Sequence, residues 1–332
     1  MTQNNLSLIL LAAGKGTRMK SSLAKVLHPI MNRPMIHHVL KNTESLGLKN
    51  RIVVVGHQKE KVMEALRDTN CSFAIQTEQL GTAHAVLAAK DSISDDCQDV
   101  LIFYGDMPLV RSSLLEKMYQ EYKEQGAMLA FMTTFLDNPT NYGRVQTTKD
   151  GAPLRIIEEK DADADEKKIK EINTGIYCVN KNFLYDSLAQ VNSNNEQGEL
   201  YLTDIVELAV KQNQKVVKYV TTEAKDVLGV NSRVELSEAE QELRLRRNKK
   251  IMMSGVSLLS PSTIYISENS EVGMDTVIGA GVELRGKCTI GANCTIDKGA
   301  ILTNCIVADG ITIAPYSCKT DVKITEDITT RC

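Results

Sequence analysis

A six-residue repeat dominates the C-terminal part of the chain and restricts what this part can fold into. From residue 272 to about residue 317 the chain divides into hexads such as VGMDTV, IGAGVE, LRGKCT and IGANCT. The aliphatic residues that share one phase of this repeat are Val272, Ile278, Leu284, Ile290, Ile296 and Leu302. Such hexads are typical of a parallel β-helix, in which each hexad makes one short face and three faces close a coil. The pattern predicts this fold and says little about function.

The chain before the repeat alternates strand-like and helix-like segments. The strand candidates are LSLILLAA, RIVVVG, SFAIQ, VLIFYGD, MLAFMTTF and NTGIYCV, and helical stretches such as EKVMEALRD lie between them. The strands are nearly continuous apolar runs, as expected for a parallel sheet that helices cover on both faces. This alternation predicts a Rossmann-like α/β domain with a doubly wound, mostly parallel sheet, whose ligands bind at the carboxyl ends of the strands.

These patterns predict three parts of the chain. We expect an α/β domain at residues 1–231, a charged linker helix at 232–254 and a short β-helix at 255–332. The segment 232–250 reads SRVELSEAEQELRLRRNKK, which is charged on all sides and indicates an exposed helix. A surface helix of the first domain is the alternative interpretation of this segment.

The composition argues against several classes of protein. The net charge is −3, so no basic field would recruit nucleic acid. No apolar run approaches the roughly 18 residues that span a bilayer, and the N-terminus has no basic segment typical of a signal peptide. The eight cysteines form no C-x-x-C pair, so we expect free thiols in a reducing cytoplasm and no zinc. All five histidines lie before residue 85.

A loop rich in glycine and basic residues follows the first strand candidate. It reads LAAGKGTRMKSSLAK from residue 11 to residue 25. Gly14 and Gly16 allow a tight turn in which backbone amides point at phosphate oxygens, and Arg18 and Lys25 add charge-assisted contacts. The loop lacks the G-K-[ST] ending of a Walker A motif, and Met19 excludes the G-x-G-x-x-G motif. The loop therefore predicts phosphate binding, with an ordinary turn and solvated lysines as the alternative.

Two further segments place polar side chains after predicted strands. In FYGDMPLV, Asp106 follows a buried strand, which suits a magnesium ligand when a nucleotide lies across that edge. In QTEQLGTAHAV, the amide of Gln76 both donates and accepts, as contact with a base edge requires. Gly81 permits close backbone approach, and Thr82 is expected to cap the following helix. Each feature alone also fits a turn or a cap, and His84 fits a helix or pocket residue better than a general base.

A last group of segments suits a sugar. NYGRV, IIEEKDA and EINTGIY contribute Gly143, Glu158 and Asn173, and a glycine, a carboxylate and an amide are what sugar hydroxyls need. In LGVNSRVEL, Asn231 follows a short apolar strand. Each of these residues alone also fits a turn or a helix cap.

Eight motifs occur together in an order that points to one enzyme family. They are LAAGKGTRM, QTEQLGTAHA, YGDMPL, NYGRV, IIEEKDA, EINTGIY, QGELYLTDIVELA and GVNSRVEL. The chain resembles the bacterial bifunctional N-acetylglucosamine-1-phosphate uridylyltransferase/glucosamine-1-phosphate acetyltransferase, closely over residues 6–235 and through the hexads to about residue 317. Any single motif is weak evidence, whereas eight in order are highly specific.

The resemblance implies a magnesium-dependent nucleotidyltransferase that acts on UTP and N-acetylglucosamine 1-phosphate and forms UDP-N-acetylglucosamine and pyrophosphate. Arg18 and Lys25 then neutralise the triphosphate as catalytic residues, and Asp106 and Asn231 hold Mg²⁺. The residues that the resemblance assigns to substrate binding are Leu11, Ala12, Ala13, Gly14, Lys25, Gln76, Gly81, Thr82, Tyr104, Gly105, Asp106, Gly143, Glu158, Asn173 and Asn231. Of these, the ones assigned to uridine are the backbone of residues 11–14, Gln76, Gly81 and Thr82. Those assigned to the N-acetylglucosamine moiety are Gly143, Glu158 and Asn173.

The chain departs from the family pattern in two places. Ala24 stands where the family usually has proline before the lysine, which makes the loop less stiff without an expected loss of activity. The β-helix of the family is longer, and its later coils carry the histidine and the basic contacts of the acetyltransferase. Because no histidine follows His84 and the tail KTDVKITEDITTRC leaves the hexad phase, we expect no acetyltransferase activity from this truncated β-helix. A shortened form and a natural monofunctional version both fit.

Two alternatives stay open beside this interpretation. A pyrophosphorylase for another sugar 1-phosphate would share the glycine loop and Asp106, although EINTG, NYGRV and GVNSR favour the N-acetylated sugar. A non-catalytic nucleotide-sugar-binding scaffold would need a broken charged site, and Arg18, Lys25, Asp106 and Asn231 are all present. The resemblance also implies a left-handed β-helix and a homotrimer, weakened by the short β-helix.

Overall fold

The computed structural model describes residues 5–329, and the chain divides into two units, Met1–Arg233 and Val234–Cys332. Seven of the cysteines are free thiols, and Cys332 lies outside the described residues. No helix within residues 5–329 combines the length and the apolar composition that a bilayer span requires.

The first unit contains eleven strands and six α-helices among its described residues. The strands are β1 (Leu6–Ala12), β2 (Pro29–Ile30), β3 (Arg33–Pro34), β4 (Arg51–Val55), β5 (Ser72–Ile75), β6 (Asp99–Tyr104), β7 (Leu129–Phe135), β8 (Arg144–Thr147), β9 (Pro153–Ile157), β10 (Glu171–Asn180) and β11 (Val216–Val220). The helices are α1 (Met35–Lys41), α2 (Lys59–Ala65), α3 (Thr82–Ala88), α4 (Ser112–Glu124), α5 (Lys181–Leu188) and α6 (Asp204–Lys211). All six strand candidates form strands, as β1, β4, β5, β6, β7 and β10.

The main sheet has nine strands and is mixed, with four parallel and four antiparallel strand pairs. Seven of them follow the order β11-β7-β10-β6-β1-β4-β5, and the antiparallel pair β8 and β9 extends from β10. Strand β1 runs parallel to β4 and β6, and β11 runs parallel to β7. Strand β10 runs antiparallel to both β6 and β7. The start of β10 therefore lies at the same edge of the sheet as the carboxyl end of β6.

Hydrophobic cores cover both faces of this sheet. Along β1, Leu8 and Leu10 belong to one core, and Ile9 and Leu11 belong to the other. Successive side chains of a strand point to opposite faces, so a continuous apolar run fills both cores. Full burial of each such side chain stabilises the fold by about 1.5–3 kcal/mol. The doubly wound fold class is confirmed.

The second unit consists of a long helix and a three-faced parallel β-helix. Helix α7 (Arg233–Met253) covers the segment expected to be a linker, apart from its first and last residues. Ile251 of α7 belongs to the core of the β-helix. Asn248 Nδ2 donates to the carbonyls of Pro261, at 2.7 Å, and Ile264, at 2.9 Å. From Val234 onward this helix is thus part of the second unit.

The β-helix is built from three parallel sheets of four short strands each. The first sheet contains β12 (Ser257–Leu258), β15 (Val277–Ile278), β18 (Thr295–Ile296) and β21 (Thr312–Ile313). The second contains β13 (Tyr265–Ile266), β16 (Glu283–Arg285), β19 (Ile301–Thr303) and β22 (Cys318–Thr320). The third contains β14 (Glu271–Val272), β17 (Thr289–Ile290), β20 (Ile306–Val307) and β23 (Lys323–Ile324). The fold that the hexads predict is confirmed.

The β-helix continues through the tail that the hexads leave. Leu302 pairs with Lys319, and Val307 pairs with Ile324, which lies in the core. A further bridge joins Ile313 to Ile328. The steps from position 302 to 307 and from 319 to 324 have five residues rather than six, so one corner of the coil is shorter by one residue. The loss of hexad phase in the tail therefore reflects a shorter turn and does not end the fold.

Candidate active site

A cavity of about 350 Å³ lies at the carboxyl ends of β1, β5 and β6. The residues that line it are Leu11, Ala12, Ala13, Gly14, Lys15, Lys25, Val26, Gln76, Gln79, Gly81, Thr82, Ala85, Tyr104, Asp106 and Glu199. Ten of these are among the sequence-predicted site residues. The cavity lies at this edge because the loops that follow parallel strands meet at the carboxyl ends of those strands.

The glycine loop turns at its second glycine. Gly16 has a φ of 60°, and a Cβ there would lie 2.6 Å from Cβ of Lys25. Glycine is therefore required both for the left-handed backbone and for the close passage of the lysine side chain. Gly14 has no atom within 4 Å of the position of a Cβ. Gly16 thus makes the turn, and Gly14 leaves the cavity wall open.

The charged residues predicted from three distant segments meet beside the cavity. The ammonium of Lys25 contacts Oδ2 of Asp106 and donates to Oδ1 of Asn231 at 3.0 Å. Arg18 Nη2 donates to the same Oδ1 of Asn231 at 2.9 Å. The backbone N–H of Val230 donates to the carbonyl of Asp106 at 2.8 Å and holds the two loops together. One cluster therefore contains two cations and two oxygen-bearing side chains.

The oxygens of Asp106 and Asn231 are close enough to share one cation. Both contact the ammonium of Lys25, so a positive charge already lies between them. Within residues 5–329, no group of three or more histidine, cysteine, aspartate or glutamate side chains is placed to hold a metal. Magnesium commonly takes only one or two protein oxygens and completes its shell with water and phosphate. One carboxylate and one amide oxygen fit this requirement.

The loop 76–82 is held by the segment that follows residue 198. Gly81 has a φ of 116°, and the Leu200 backbone lies against it, with the N–H of Leu200 donating to the carbonyl of Leu80 at 2.7 Å. The hydroxyl of Thr82 accepts from the N–H of Leu202 at 2.9 Å. The expectation that Thr82 caps helix α3 is therefore wrong, because Gly81 is the N-cap residue and the hydroxyl of Thr82 accepts from Leu202 instead. Gln76 Nε2 donates to the carbonyl of Gly81 at 3.1 Å and contacts His84 Nδ1 at 3.2 Å.

The three residues predicted for the sugar form a second cluster. The N–H of Asn173 donates to the carbonyl of Gly143 at 2.9 Å. Glu158 Oε2 would lie 3.6 Å from a Cβ at Gly143, and Glu158 Oε1 accepts from the hydroxyl of Thr203 at 3.0 Å. Asn173 Nδ2 donates to the hydroxyl of Tyr177 at 2.6 Å. The antiparallel direction of β10 brings Asn173 to this edge.

Tyr104 lies between the two clusters. It lines the cavity, and its ring occupies the space that a side chain at Gly175 would need. Burial raises the pKa of Tyr104 well above its usual range, and the nearby charges of Glu158 and Asp106 raise it further. Gly105 follows Tyr104, and its N–H donates to the carbonyl of Leu11 at 2.9 Å. The structure thus places Gly105 as a backbone anchor behind the cavity wall.

The carboxyl group of Glu158 is kept partly desolvated. Burial raises its pKa, the hydrogen bond from Thr203 lowers it, and the neighbouring carboxylates of Asp161, Asp204 and Glu199 raise it again. The hydrogen bond from Thr203 uses Oε1, so Oε2 can accept a hydrogen bond from a hydroxyl group of a ligand.

Asp204 makes the protein less stable as the pH rises. Burial raises its pKa from 3.8 to about 6, and Glu207 and Asp161 add to this effect. The folded state therefore binds a proton that the unfolded state releases, so the stability from this group is full below pH 3.8 and is lost as the pH rises through about 6. We expect Asp204→Asn to raise the melting temperature, with a gain that grows between about pH 4 and pH 6 and is constant above.

Thermal unfolding followed by circular dichroism at several pH values tests this expectation. Asp150→Asn is the matched control, because Asp150 is exposed and the hydroxyl of Thr148 holds its pKa below the usual value. The control should gain no stability at pH 8. A melting temperature of Asp204→Asn that stays at or below the wild-type value at pH 8 would contradict the assignment.

Six residues of the site were not singled out from the sequence, namely Lys15, Val26 and Ala85, which line the cavity, and three polar residues. Glu199 lines the cavity, Thr203 donates to Glu158, and Gln79 Nε2 donates to the carbonyl of Ala13 at 2.9 Å. Glu199 and Thr203 lie in the motif QGELYLTDIVELA, which supports the family resemblance without suggesting a role for any of its residues. Gln79 lies three residues after Gln76 in QTEQLGTAHA, and this spacing alone does not distinguish it from a surface residue.

Comparison with known proteins agrees with this geometry. Residues 7–242 match the model of the nucleotidyl transferase family. The bifunctional protein GlmU of Desulfotalea psychrophila is 57% identical over 325 residues, which cover 98% of this chain and 96% of that relative. The bifunctional protein GlmU of Brevibacillus brevis is 42% identical over 319 residues, or 96% of this chain and 69% of that relative. The chain belongs to the nucleotidyl transferase family and, within it, to the group of the bifunctional protein GlmU.

Proposed function

We propose that this chain transfers a uridylyl group from UTP to N-acetylglucosamine 1-phosphate, which gives UDP-N-acetylglucosamine and pyrophosphate for cell-wall precursor synthesis. The observation that carries the proposal is the cluster of Lys25, Arg18, Asp106 and Asn231 beside a cavity at the carboxyl edge of the sheet. A site with fixed cations and paired oxygens suits a reaction between two anionic reactants.

In this reaction a phosphate oxygen of the sugar phosphate forms a bond to the α-phosphorus of UTP. The bond from the α-phosphorus to the oxygen that bridges it to the β-phosphorus breaks, and pyrophosphate leaves with the electron pair. The attacking phosphate is already ionised at neutral pH, so the reaction needs no general base. What the protein supplies is alignment of the reactants and neutralisation of charge.

The cations of the cluster act on the triphosphate. Lys25 lines the cavity, and its ammonium is partly buried against Asp106, where a charge interacts more strongly than in water. Arg18 is held by Asn231 and presents further donors to phosphate oxygens. In this proposal both cations reduce the repulsion between the reactants and stabilise the charge that develops on pyrophosphate.

Mg²⁺ is the cofactor of the proposed reaction, with Asp106 and Asn231 as its protein ligands. The ion, when bound, neutralises negative charge on the phosphates and on the departing pyrophosphate. Lys25 contacts the side chains of both residues that would hold the ion, so its ammonium also lies where it would meet the phosphates.

The remaining contacts divide between the two substrates. We assign the uridine to the backbone of residues 11–14 and to the loop that contains Gln76, Gly81 and Thr82, all of which line the cavity. We assign the N-acetylglucosamine moiety to Gly143, Glu158 and Asn173, which lie together beyond Tyr104. The bridging phosphates then lie near Tyr104, Asp106 and Lys25, between the two groups.

A comparison of substrates tests the function. With UTP and Mg²⁺, we expect pyrophosphate release with N-acetylglucosamine 1-phosphate to exceed that with glucose 1-phosphate by about 10²-fold or more in kcat/KM. A site built to hydrogen-bond an amide leaves its own polar groups unpaired when that amide is missing. Faster turnover with glucose 1-phosphate, or with dTTP in place of UTP, would reject this substrate assignment.

A parallel assay addresses the second activity of the relatives. Incubation of this chain with acetyl-CoA and glucosamine 1-phosphate should give no acetylated product, because its residues after His84 contain no histidine. Absence of pyrophosphate release with every sugar phosphate would instead favour a non-catalytic nucleotide-sugar-binding scaffold. The homotrimer and the cytoplasmic location stay predictions.

A further inference from the structure

The guanidinium of Arg233 forms hydrogen bonds with two turns of the site that lie more than 200 residues before it in the sequence. Arg233 Nε donates to the carbonyl of Met19 at 3.3 Å, and Arg233 Nη1 donates to His28 Nδ1 at 3.2 Å. Met19 ends the 3-10 turn Thr17–Met19, and its side chain is buried. His28 follows the second 3-10 turn, Lys25–Leu27, and its N–H donates to the carbonyl of Lys25 at 3.2 Å.

These two turns carry the two catalytic cations of the proposed function. Arg18 is the central residue of the first turn, and Lys25 is the first residue of the second. Arg233 lies two residues after Asn231, which accepts hydrogen bonds from both cations. The side chain of Arg233 therefore connects the segment that contains Asn231 to the two turns that carry Arg18 and Lys25.

The hydrogen bond from Arg233 determines the protonation state of His28. A guanidinium only donates hydrogen bonds, so Nδ1 of His28 must accept and the imidazole is neutral. His28 is 3% exposed, and burial together with the charge of Arg233 lowers its pKa, against a smaller opposing effect of the Leu23 backbone. The carbonyl of Met19 lies at the end of a short helix, where carbonyls lack partners within the helix. Arg233 thus meets two acceptors that the turns themselves leave open.

We propose that Arg233 is a positioning residue for uridylyl transfer, which holds the turns of Arg18 and Lys25 through Met19 and His28 so that both cations face the triphosphate. The proposal rests on the proposed function. Neither Arg233 nor His28 lines the cavity, so their effect on the reaction passes through the two cations. A displacement of about 1 Å at the cations is enough to lower the rate about 10²-fold.

Four variants and one control separate this role from a general effect on folding. Arg233→Met removes both donors, and Arg233→Lys keeps the charge but has a single ammonium for two acceptors. His28→Leu removes the acceptor, whereas His28→Asn keeps an acceptor oxygen at the place of Nδ1. Arg246→Met is the matched control, because Arg246 lies on the same helix and pairs with Glu242 of that helix.

We expect kcat/KM for UTP to fall about 10–100-fold in Arg233→Met and in His28→Leu. His28→Asn should recover most of this loss, Arg233→Lys should be intermediate, and Arg246→Met should match the wild type. The KM for N-acetylglucosamine 1-phosphate should change less than about twofold, because the hydrogen bonds described above for the sugar cluster do not involve these turns. Melting temperatures should stay within about 4 °C of the wild-type value.

Two results would overturn the positioning role. One is an unchanged kcat/KM for UTP in Arg233→Met. The other is a parallel loss for both substrates together with a lower melting temperature in both His28 variants, which would indicate a structural role alone. Failure of the proposed function is distinguishable, since the wild-type chain would then release no pyrophosphate in the same assay.

Discussion

We expect the variant Asp106→Ala to lose about 10³-fold in kcat for pyrophosphate release, because it removes the carboxylate that we propose as a magnesium ligand. The same change leaves the ammonium of Lys25 in contact with Asn231 alone. The fold should survive, since the contact from Val230 to residue 106 uses the backbone carbonyl, which alanine retains. Steady-state assays at saturating UTP and a range of Mg²⁺ concentrations measure this loss.

Asp96→Ala is the matched control for this change. Asp96 pairs with Lys49 at 2.5 Å on the surface, and its side chain is 60% exposed. Exposed pairs of this kind contribute little to stability, so activity should stay within about twofold of the wild type. Near-normal turnover of Asp106→Ala at all Mg²⁺ concentrations would contradict the metal assignment.

The variant Gly81→Ala has the second largest expected effect, on both stability and nucleotide binding. The φ of 116° at Gly81 is strained for any other residue, and a Cβ would overlap with the carbonyl of Leu200 and lie 2.6 Å from its nitrogen. Backbone atoms cannot yield as a flexible side chain does, so the segment at Leu200 must move. The strain and the overlap together are expected to cost about 3 kcal/mol.

Urea unfolding and titration with UTP measure the two consequences of this change. Because the loop lines the cavity, we expect the Kd for UTP to rise about tenfold or more in Gly81→Ala. Gly126→Ala is the control, since Gly126 also has a positive φ of 59° but has no atom within 4 Å of a Cβ. The control should lose about 1 kcal/mol in stability and bind UTP normally. Equal losses of stability in the two variants would show that the contact with Leu200 is unimportant.

Much of the site was predictable because it lies where buried strands end. Leu11 to Gly14, Gln76 and Asp106 lie at or just after the carboxyl ends of β1, β5 and β6, and all line the cavity. Glu199 and Thr203 were not predictable in this way, because they follow no strand. They reach the site because the backbone of Leu200 pairs with the loop at Leu80 and Ala83. Contacts of this kind leave no periodic signal in the sequence.

The sequence by itself determined which residue types follow each buried strand and that the C-terminal part coils with a step of about six residues. Both are local patterns, since apolar periodicity depends only on near neighbours along the chain. Val307 and Ile324 pair with the preceding strands of the same β-helix, although the spacing of five residues before each of them breaks the six-residue phase.

Only the tertiary structure decided which of these residues meet. Asn173 lies near the start of β10, and it reaches the edge where β6 ends because β10 runs antiparallel to β6. Asn231 accepts a hydrogen bond from Lys25, although 206 positions of the sequence separate the two residues. Strand direction and long-range contact depend on which partner a segment packs against, and this follows from the free energy of the whole fold rather than from any one segment.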